Sequence, residues 1–333
     1  MLFDYNVVWE SLPLYFGGVL VTLKLLVISL VLGLLAAVPL ALMRVSKQPA
    51  INFPAWLYTY VIRGTPMLVQ LYLLYYGMAQ FEVVRESALW PYLSNATFCA
   101  CLAFAINTSA YSAEILAGSL KATPYGEIEA AKAMGMSRFT FYRRILLPSA
   151  LRRALPQYSN EVIMMLHTTS LASVVTLIDI TGAAKTVNSQ YYLSFEAYIT
   201  AGVFYLLLTL ILVALAGMLT LTALISTDDI KQALISQVKQ QTGRELFIDG
   251  PVSWSFYPSL GLSIEQVRLL NPAGFPAEPT VAVADGRIRV ALLPLFSGQL
   301  LIEQLALHKP QIHLLRSTQG HSNLDDLLAL STN

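Results

Sequence analysis

Five stretches of nearly unbroken apolar sequence occupy the first two thirds of the chain, at 17–43, 55–79, 97–118, 155–177 and 197–225. Each reaches the roughly 20 residues a helix needs to cross a bilayer, so five transmembrane helices are predicted. Asn160, Glu161 and His167 interrupt the fourth run. Polar groups at such depth usually face a bundle interior or a water-filled path. The first run is too long for a signal peptide and lacks a basic lead-in or small-residue cleavage site, so it is expected to be a retained helix. After Ser226 the pattern changes. Thr227 can cap a helix carrying Ile230, Leu234 and Val238 on one face, ended by Gly243. The period then drops to two, predicting short strands at 245–249, 252–256, 262–269, 280–284, 287–292, 300–307 and 311–316. The expected fold is an all-α polytopic membrane domain over 1–225, followed by a small β-rich α+β domain over 226–333.

Composition agrees with this division. Only 12% of residues are charged and 56% are hydrophobic, where a soluble protein has roughly 25% charged. The net charge of +1 argues against a nucleic-acid partner; the lipid bilayer is the expected surroundings. Thirteen Lys/Arg lie in 1–225, whereas 226–333 has eight Lys/Arg and ten Asp/Glu. Arg44 and Lys47 follow the first run, and Lys121, Lys132, Arg138, Arg143, Arg144, Arg152 and Arg153 separate the third from the fourth. The segments 80–96 and 178–196 hold only Arg85 and Lys185. Basic loops stay inside, so the N-terminus is expected outside and 119–154 inside. Cys99 and Cys101 are two positions apart, which on a helix points them to different faces. They read as small hydrophobic residues, not as a disulfide or metal site.

Residues 129–148, EAAKAMGMSRFTFYRRILLP, form a polar island. Glu129-Ala130-Ala131 reads as a helical turn, broken at Gly135 where a positive φ is easiest to place. Phe139, Tyr142 and Ile145 mark one face of a second turn, which Pro148 should stop. Glu127, Glu129 and Lys132 offer a charged face for an interface. Ala130, Ala131 and Ala133 allow close docking, and Phe139 and Tyr142 can anchor in a pocket. The competing reading is an amphipathic helix lying on the membrane surface.

The order E-A-A, three residues, G, nine residues, I, one residue, L-P resembles the cytoplasmic coupling loop of ATP-binding-cassette (ABC) importer permeases. Arg63-Gly64-Thr65-Pro66 with Gln70, Asn107-Thr108-Ser109-Ala110-Tyr111 with Glu114, and Tyr158-Ser159-Asn160-Glu161-Val162 resemble the polar amino-acid branch of that family. The likeness is to subunits serving histidine, lysine, arginine, ornithine and opine uptake, and runs from residue 1 to about 213. It implies a five-helix permease in the bacterial inner membrane and a second permease subunit, homologous or identical. It also implies a periplasmic solute-binding protein and a cytoplasmic ATPase dimer that holds the ATP and magnesium. No catalytic residue, cofactor or metal is implied for this chain. Glu127, Glu129, Ala130, Ala131, Lys132, Gly135, Phe139, Tyr142, Ile145 and Pro148 would couple ATPase motion to translocation through 119–154. No G-x-x-x-x-G-K-[ST] occurs, so hydrolysis falls to a partner.

A basic amino acid crossing the membrane needs oxygen acceptors, because an unpaired charge there costs several kcal/mol. Asn107, Ser109, Glu114, Asn160 and Glu161 are those available within the runs. Hydrogen bonding from helix to helix explains them equally well. Lys121 and Arg153 are candidate partners for Glu114. His167 reads as a packed, satisfied histidine, and Arg63 as ordering the start of the second span or snorkelling.

The tail carries other words. Thr242-Gly243-Arg244-Glu245-Leu246, Asp249-Gly250-Pro251-Val252-Ser253-Trp254, Asn271-Pro272-Ala273-Gly274-Phe275, Ala291-Leu292-Leu293-Pro294-Leu295 and Ser322-Asn323-Leu324-Asp325-Asp326-Leu327 resemble the start of the AsmA-like family. Members are inner-membrane-anchored periplasmic β structures associated with envelope biogenesis and lipid traffic. The likeness covers about 205–330 and stops early, implying a truncated module. The two resemblances share the helix at 197–225 and disagree on its direction. A fifth permease helix ends in the cytoplasm, an AsmA-like anchor in the periplasm, and about 43 Å of helix makes one crossing. The chain reads as a fusion at about 205–220. A basic-amino-acid importer permease is the expected function; the alternatives are an envelope-biogenesis or lipid-transport module, or a hybrid without function.

Overall fold

The computed structural model describes residues 3–224, 227–255, 261–272, 274–276, 278–290, 302–308, 310–316 and 322–325. The chain divides into two compact units, Met1–Leu221 and Thr222–Asn333.

The first unit is helical. Helix α1 spans Tyr5–Arg44 and starts at Asp4, whose carboxylate accepts from the backbone N–H of Asn6 and Val7. Helix α2, Pro49–Gly64, is followed by α3, Met67–Tyr72, which continues through a π turn at Leu73–Gly77 and a 3₁₀ turn at Met78–Gln80. Two short helices, α4 (Glu82–Arg85) and α5 (Trp90–Leu93), lead to α6, Ala96–Lys121, capped by the Asn95 side chain. Helices α7 (Tyr125–Ala133) and α8 (Arg138–Phe141), with a π turn at Tyr142–Leu146, precede α9, Leu147–Thr168. A 3₁₀ turn at Thr169–Val175 leads to α10, Ile180–Tyr191, and then to α11, Ser194–Leu224.

Among the described residues, three helices are long and apolar enough to cross a membrane: α1, α6 and α11 over Ser194–Thr220. A fourth crossing is possible from the pair Phe139–Val175 and Ile180–Tyr191, bent by 45°. Helix α6 is the centre, with 78% of its span buried against 11% for α11. Ser29, Gly33, Ala37 and Ala41 recur every fourth residue on α1, all buried. Such a small-residue stripe lets helices approach closely. A Cβ on Gly33 would run into the Thr108 side chain of α6, so the approach itself requires glycine there.

The second apolar run, 55–79, is not one unbroken helix. Pro66 biases Thr65 toward extended backbone, and Thr65 sits at ψ 139°. Gln70 repairs the break: its Nε2 donates to the carbonyls of Ile62 at 2.7 Å and Thr65 at 3.1 Å. A second departure concerns Pro148, which does not stop its helix but lies in the first turn of α9. Proline removes an i−4 hydrogen bond and crowds the carbonyl four residues back. The wider π turn at Tyr142–Leu146 just before it takes up both effects, so the helix runs on.

The second unit opens with α12, Thr227–Thr242, ended by Gly243 at φ 69°. Among the described residues six antiparallel strands follow: β1 Leu246–Ile248, β2 Val252–Ser255, β3 Gly261–Leu270, β4 Pro279–Val290, β5 Ile302–His308 and β6 Gln311–Ile312. Long β3 and β4 pair centrally. β1 and β2 share the outer edge of β3, and β5 and β6 that of β4. Ile230 and Leu234 of α12 pack on Ile248 and Ile264. The strands expected at 280–284 and 287–292 are one strand to Val290, because Asp285 and Gly286 stay in register with β3 and β5. Residues 256, 291–292 and 300–301 of the expected strands lie outside the described residues. The run expected at 311–316 pairs only as β6, with an isolated bridge from Arg316 to Ser322.

Candidate functional site: a central cavity and an inner loop

A cavity of about 630 Å³ opens beside the broken second run. Irregular backbone at membrane depth is tolerated where it lines such a space, and residues 63–67 do so. Asn107, Tyr111 and Glu114 of α6 form another wall. The third comes from α9, where Gln157, Asn160, Glu161, Met164 and Thr168 all line the space. Their spacing of i, i+3, i+4, i+7 and i+11 is one helical face. That periodicity was available in the sequence and would have added Gln157, Met164 and Thr168 to the candidates.

Among the five acceptors singled out above, Asn107, Glu114, Asn160 and Glu161 meet here, and Ser109 does not. Ser109 is buried on another side of α6, its hydroxyl 2.7 Å from the Tyr58 hydroxyl. Asn107 donates to Gln70 Oε1 at 3.1 Å, tying α6 to the break. Glu114 pairs with neither Lys121 nor Arg153. Arg44 Nε donates to it at 2.6 Å and Thr59 at 2.7 Å, because α1 and α2 both pack on α6 and bring these residues together across the chain. Glu161 accepts from the Thr108 hydroxyl at 2.8 Å and makes no ion pair among the described residues. Arg63 closes α2 and lines the same cavity, its guanidinium 5.2 Å from the centre of the Tyr111 ring. His167 bonds to Thr209 of α11 at 3.1 Å. Cys99 and Cys101 are free and buried.

The inner loop has a different character. Gly135 at φ 67° turns the chain between α7 and α8, a conformation L-residues with a Cβ resist. Ala131 is buried, as is Leu146, which packs with Ala113, Leu116 and Ala150. Glu127 is drawn inward: Ser149 donates to it at 2.9 Å and Arg153 lies 3.6 Å away. It thus fixes α7 to α9, while Glu129, Ala130 and Lys132 remain exposed. Ile145 and Pro148 are half-buried. Large apolar groups point outward: Tyr125 is 82% exposed, Met134 78%, Phe139 72%, and Tyr142 39%. Tyr125 and Met134 lie outside the set marked by the sequence pattern.

In the tail, Arg244 is buried and donates to Thr280 at 3.1 Å and to the Asn323 carbonyl at 2.5 Å. Asn323 donates to Asn271 at 2.8 Å. Three of the recognisable words therefore meet in one buried network.

Comparison with known proteins places this geometry. Residues 29–222 match the family described as binding-protein-dependent transport system inner membrane component, and residues 197–333 match the AsmA family. The octopine transport system permease protein of Rhizobium meliloti is 48% identical over 211 residues, 63% of this chain and 86% of that one. The histidine/lysine/arginine/ornithine transport system permease protein of Salmonella typhimurium is 49% identical over 212 residues, 62% of this chain and 90% of that one. The crystal structure of an amino acid ABC transporter with histidines superposes with a TM-score of 0.59 and 34% identity, covering 66% of this chain and 99% of that one. The chain belongs to the binding-protein-dependent transport system inner membrane component family: it is a multi-pass inner-membrane permease component of an ABC transporter, in which ATP hydrolysis is the work of another subunit.

Proposed function

We propose that this chain is the translocation subunit of an importer for basic amino acids of the histidine, lysine, arginine, ornithine or octopine type. The observation that carries the reading is Glu161, a half-buried carboxylate on the cavity wall with no cation paired to it among the described residues. A cationic side chain entering the cavity would give Glu161 the close ion pair it lacks, since Arg63 acts on it only at longer range, and Arg63 suits the cargo carboxylate. Asn107 and Asn160 offer further polar contacts, while Glu114 is held by Arg44. The relatives' names support the same cargo class.

Coupling would run through the loop. Tyr125, Met134, Phe139 and Tyr142 dock on the ATPase, with Glu129 and Lys132 at the rim; Ala130, Ala131 and Gly135 set the close approach. Ile145 and Pro148 pass the motion into α9. The full assembly would hold a second permease subunit, an ATPase dimer in the cytoplasm and a periplasmic solute-binding protein. Residues 1–225 would form the transport domain and 226–333 an AsmA-like domain. The test is ATP-dependent uptake by the reconstituted complex: arginine, lysine, histidine or ornithine should enter and glutamate should not.

The match over 197–333 favours a second reading, an envelope-biogenesis or lipid-transport module anchored by α11. Truncation after residue 225 separates the two. Uptake should survive it under the transport reading, and a cysteine placed at exposed Gln311 should resist an impermeant maleimide until lysis.

A further inference from the structure

We propose that a groove on the outside of the helical unit, built around Lys24, binds the headgroup and one chain of an anionic phospholipid. Lys24 lies within α1 and forms neither an ion pair nor a hydrogen bond among the described residues. It is exposed and lines a groove of about 470 Å³ that is separate from the central cavity.

The level of Lys24 in the membrane follows from the packing of α1 on α6. Ser29 donates to the Cys101 carbonyl at 3.4 Å, and Arg44 pairs with Glu114 at 2.6 Å. The two helices therefore run parallel, and Lys24 lies level with the start of α6 at Asn95 and Ala96. Asn95 lines the groove with it. The 20 residues from Lys24 to Arg44 rise about 30 Å, the thickness of the hydrocarbon core. Counted from Arg44, Lys24 lies one core thickness away, within snorkelling reach of the lipid phosphates.

The walls fit an amphiphile. Ile28 and Leu32 continue the line of Lys24 along α1 for about 12 Å, facing Phe98 and Leu102 of α6. Tyr92 stands at the mouth, 57% exposed, its ring 5.5 Å from that of Phe98. Tyrosine is a usual residue at the headgroup level. A cation and polar rim at one end with an apolar channel running from it along α1 complement a phosphate joined to an acyl chain. A neighbouring helix would leave the ammonium in an apolar contact without a counter-charge, which is costly.

The test is native mass spectrometry of the intact transporter complex with vesicle lipids at matched amounts of phosphatidylglycerol and phosphatidylethanolamine. Wild type should retain phosphatidylglycerol preferentially. Lys24→Gln should lower that retention by about fivefold, the effect of one lysine near a membrane surface, and Lys24→Arg should restore it. Leu32→Trp, which fills the channel and leaves the charge, should also lower it. Equal retention of both lipids, or unchanged retention in Lys24→Gln, would overturn the proposal. So would disulfide cross-linking of Leu32→Cys between two permease copies in membranes, which would mean that protein covers the groove.

Discussion

The central cavity and the inner loop are opposites. In the cavity, polar and charged groups face the open space, and Glu161 makes no ion pair among the described residues. On the loop, Tyr125, Met134 and Phe139 stand out from a polar segment. Each is ill-suited to its surroundings when alone. A carboxylate at membrane depth calls for a positive charge, and exposed aromatic and thioether groups call for a dry pocket. Under the proposed function each misfit is answered, by a charged cargo in one place and a protein surface in the other.

The contrast can be broken most severely at the loop. Phe139→Asp puts a charge into the docking patch and should weaken ATPase association on the order of 30-fold, read by co-purification, with uptake lost. Glu129→Gln, at the rim, should change it little. Behind the cavity wall, Gln70→Ala strips the break at Gly64–Pro66 of its donor. Buried groups left unsatisfied cost about 1–3 kcal/mol, so thermal stability should fall and uptake with it. Arg153→Gln and Glu127→Gln remove a half-exposed pair that holds the loop to α9. Each should reduce uptake by only about two- to fivefold, and the double variant should be no worse than the more damaging single. Ser109→Ala should have the smallest effect, since its hydroxyl serves Tyr58 and not the cavity. Loss of one such interhelical bond averages about 0.6 kcal/mol, and uptake should stay within about threefold.

Legibility in the sequence followed distance along the chain. The first, third and fifth apolar runs, the left-handed Gly135 and α12 with its Ile230–Leu234 face are local patterns that survive folding. Glu114 shows the limit: Arg44 and Thr59, which hold it, are 70 and 55 positions away, whereas Lys121 and Arg153 looked plausible from spacing and the local charge pattern. Ser109 and Asn107 sit two positions apart on α6, yet only Asn107 reaches the cavity. Nothing short of the bundle's packing decides between those two faces. Pro148 followed the ordinary rule for helix interiors, but the π turn before it shows that a wider turn can absorb a proline. Gln70 was visible as part of a motif, and its purpose appears only when the carbonyls of Ile62 and Thr65 turn toward it. Lys24 lies inside the first apolar run, where the charge bias of loops carries no information about it.

The tail's words tell a related story. Arg244, Asn271 and Asn323 are far apart in sequence and meet in one buried network with Thr280. Their value is structural, and this explains why a recognisable pattern there says more about the fold of the β unit than about what it does.

The central claim is that Glu161 receives the cationic group of the cargo. The direct measurement is ATP-dependent uptake of radiolabelled arginine and glutamine by the reconstituted complex, comparing wild type with Glu161→Gln and Glu161→Asp. The account predicts that Glu161→Gln lowers arginine uptake by at least about tenfold, shifts the preference toward glutamine, and leaves ATPase association intact, with partial recovery in Glu161→Asp. Unchanged arginine uptake by Glu161→Gln, or an equal loss for both amino acids, would contradict it.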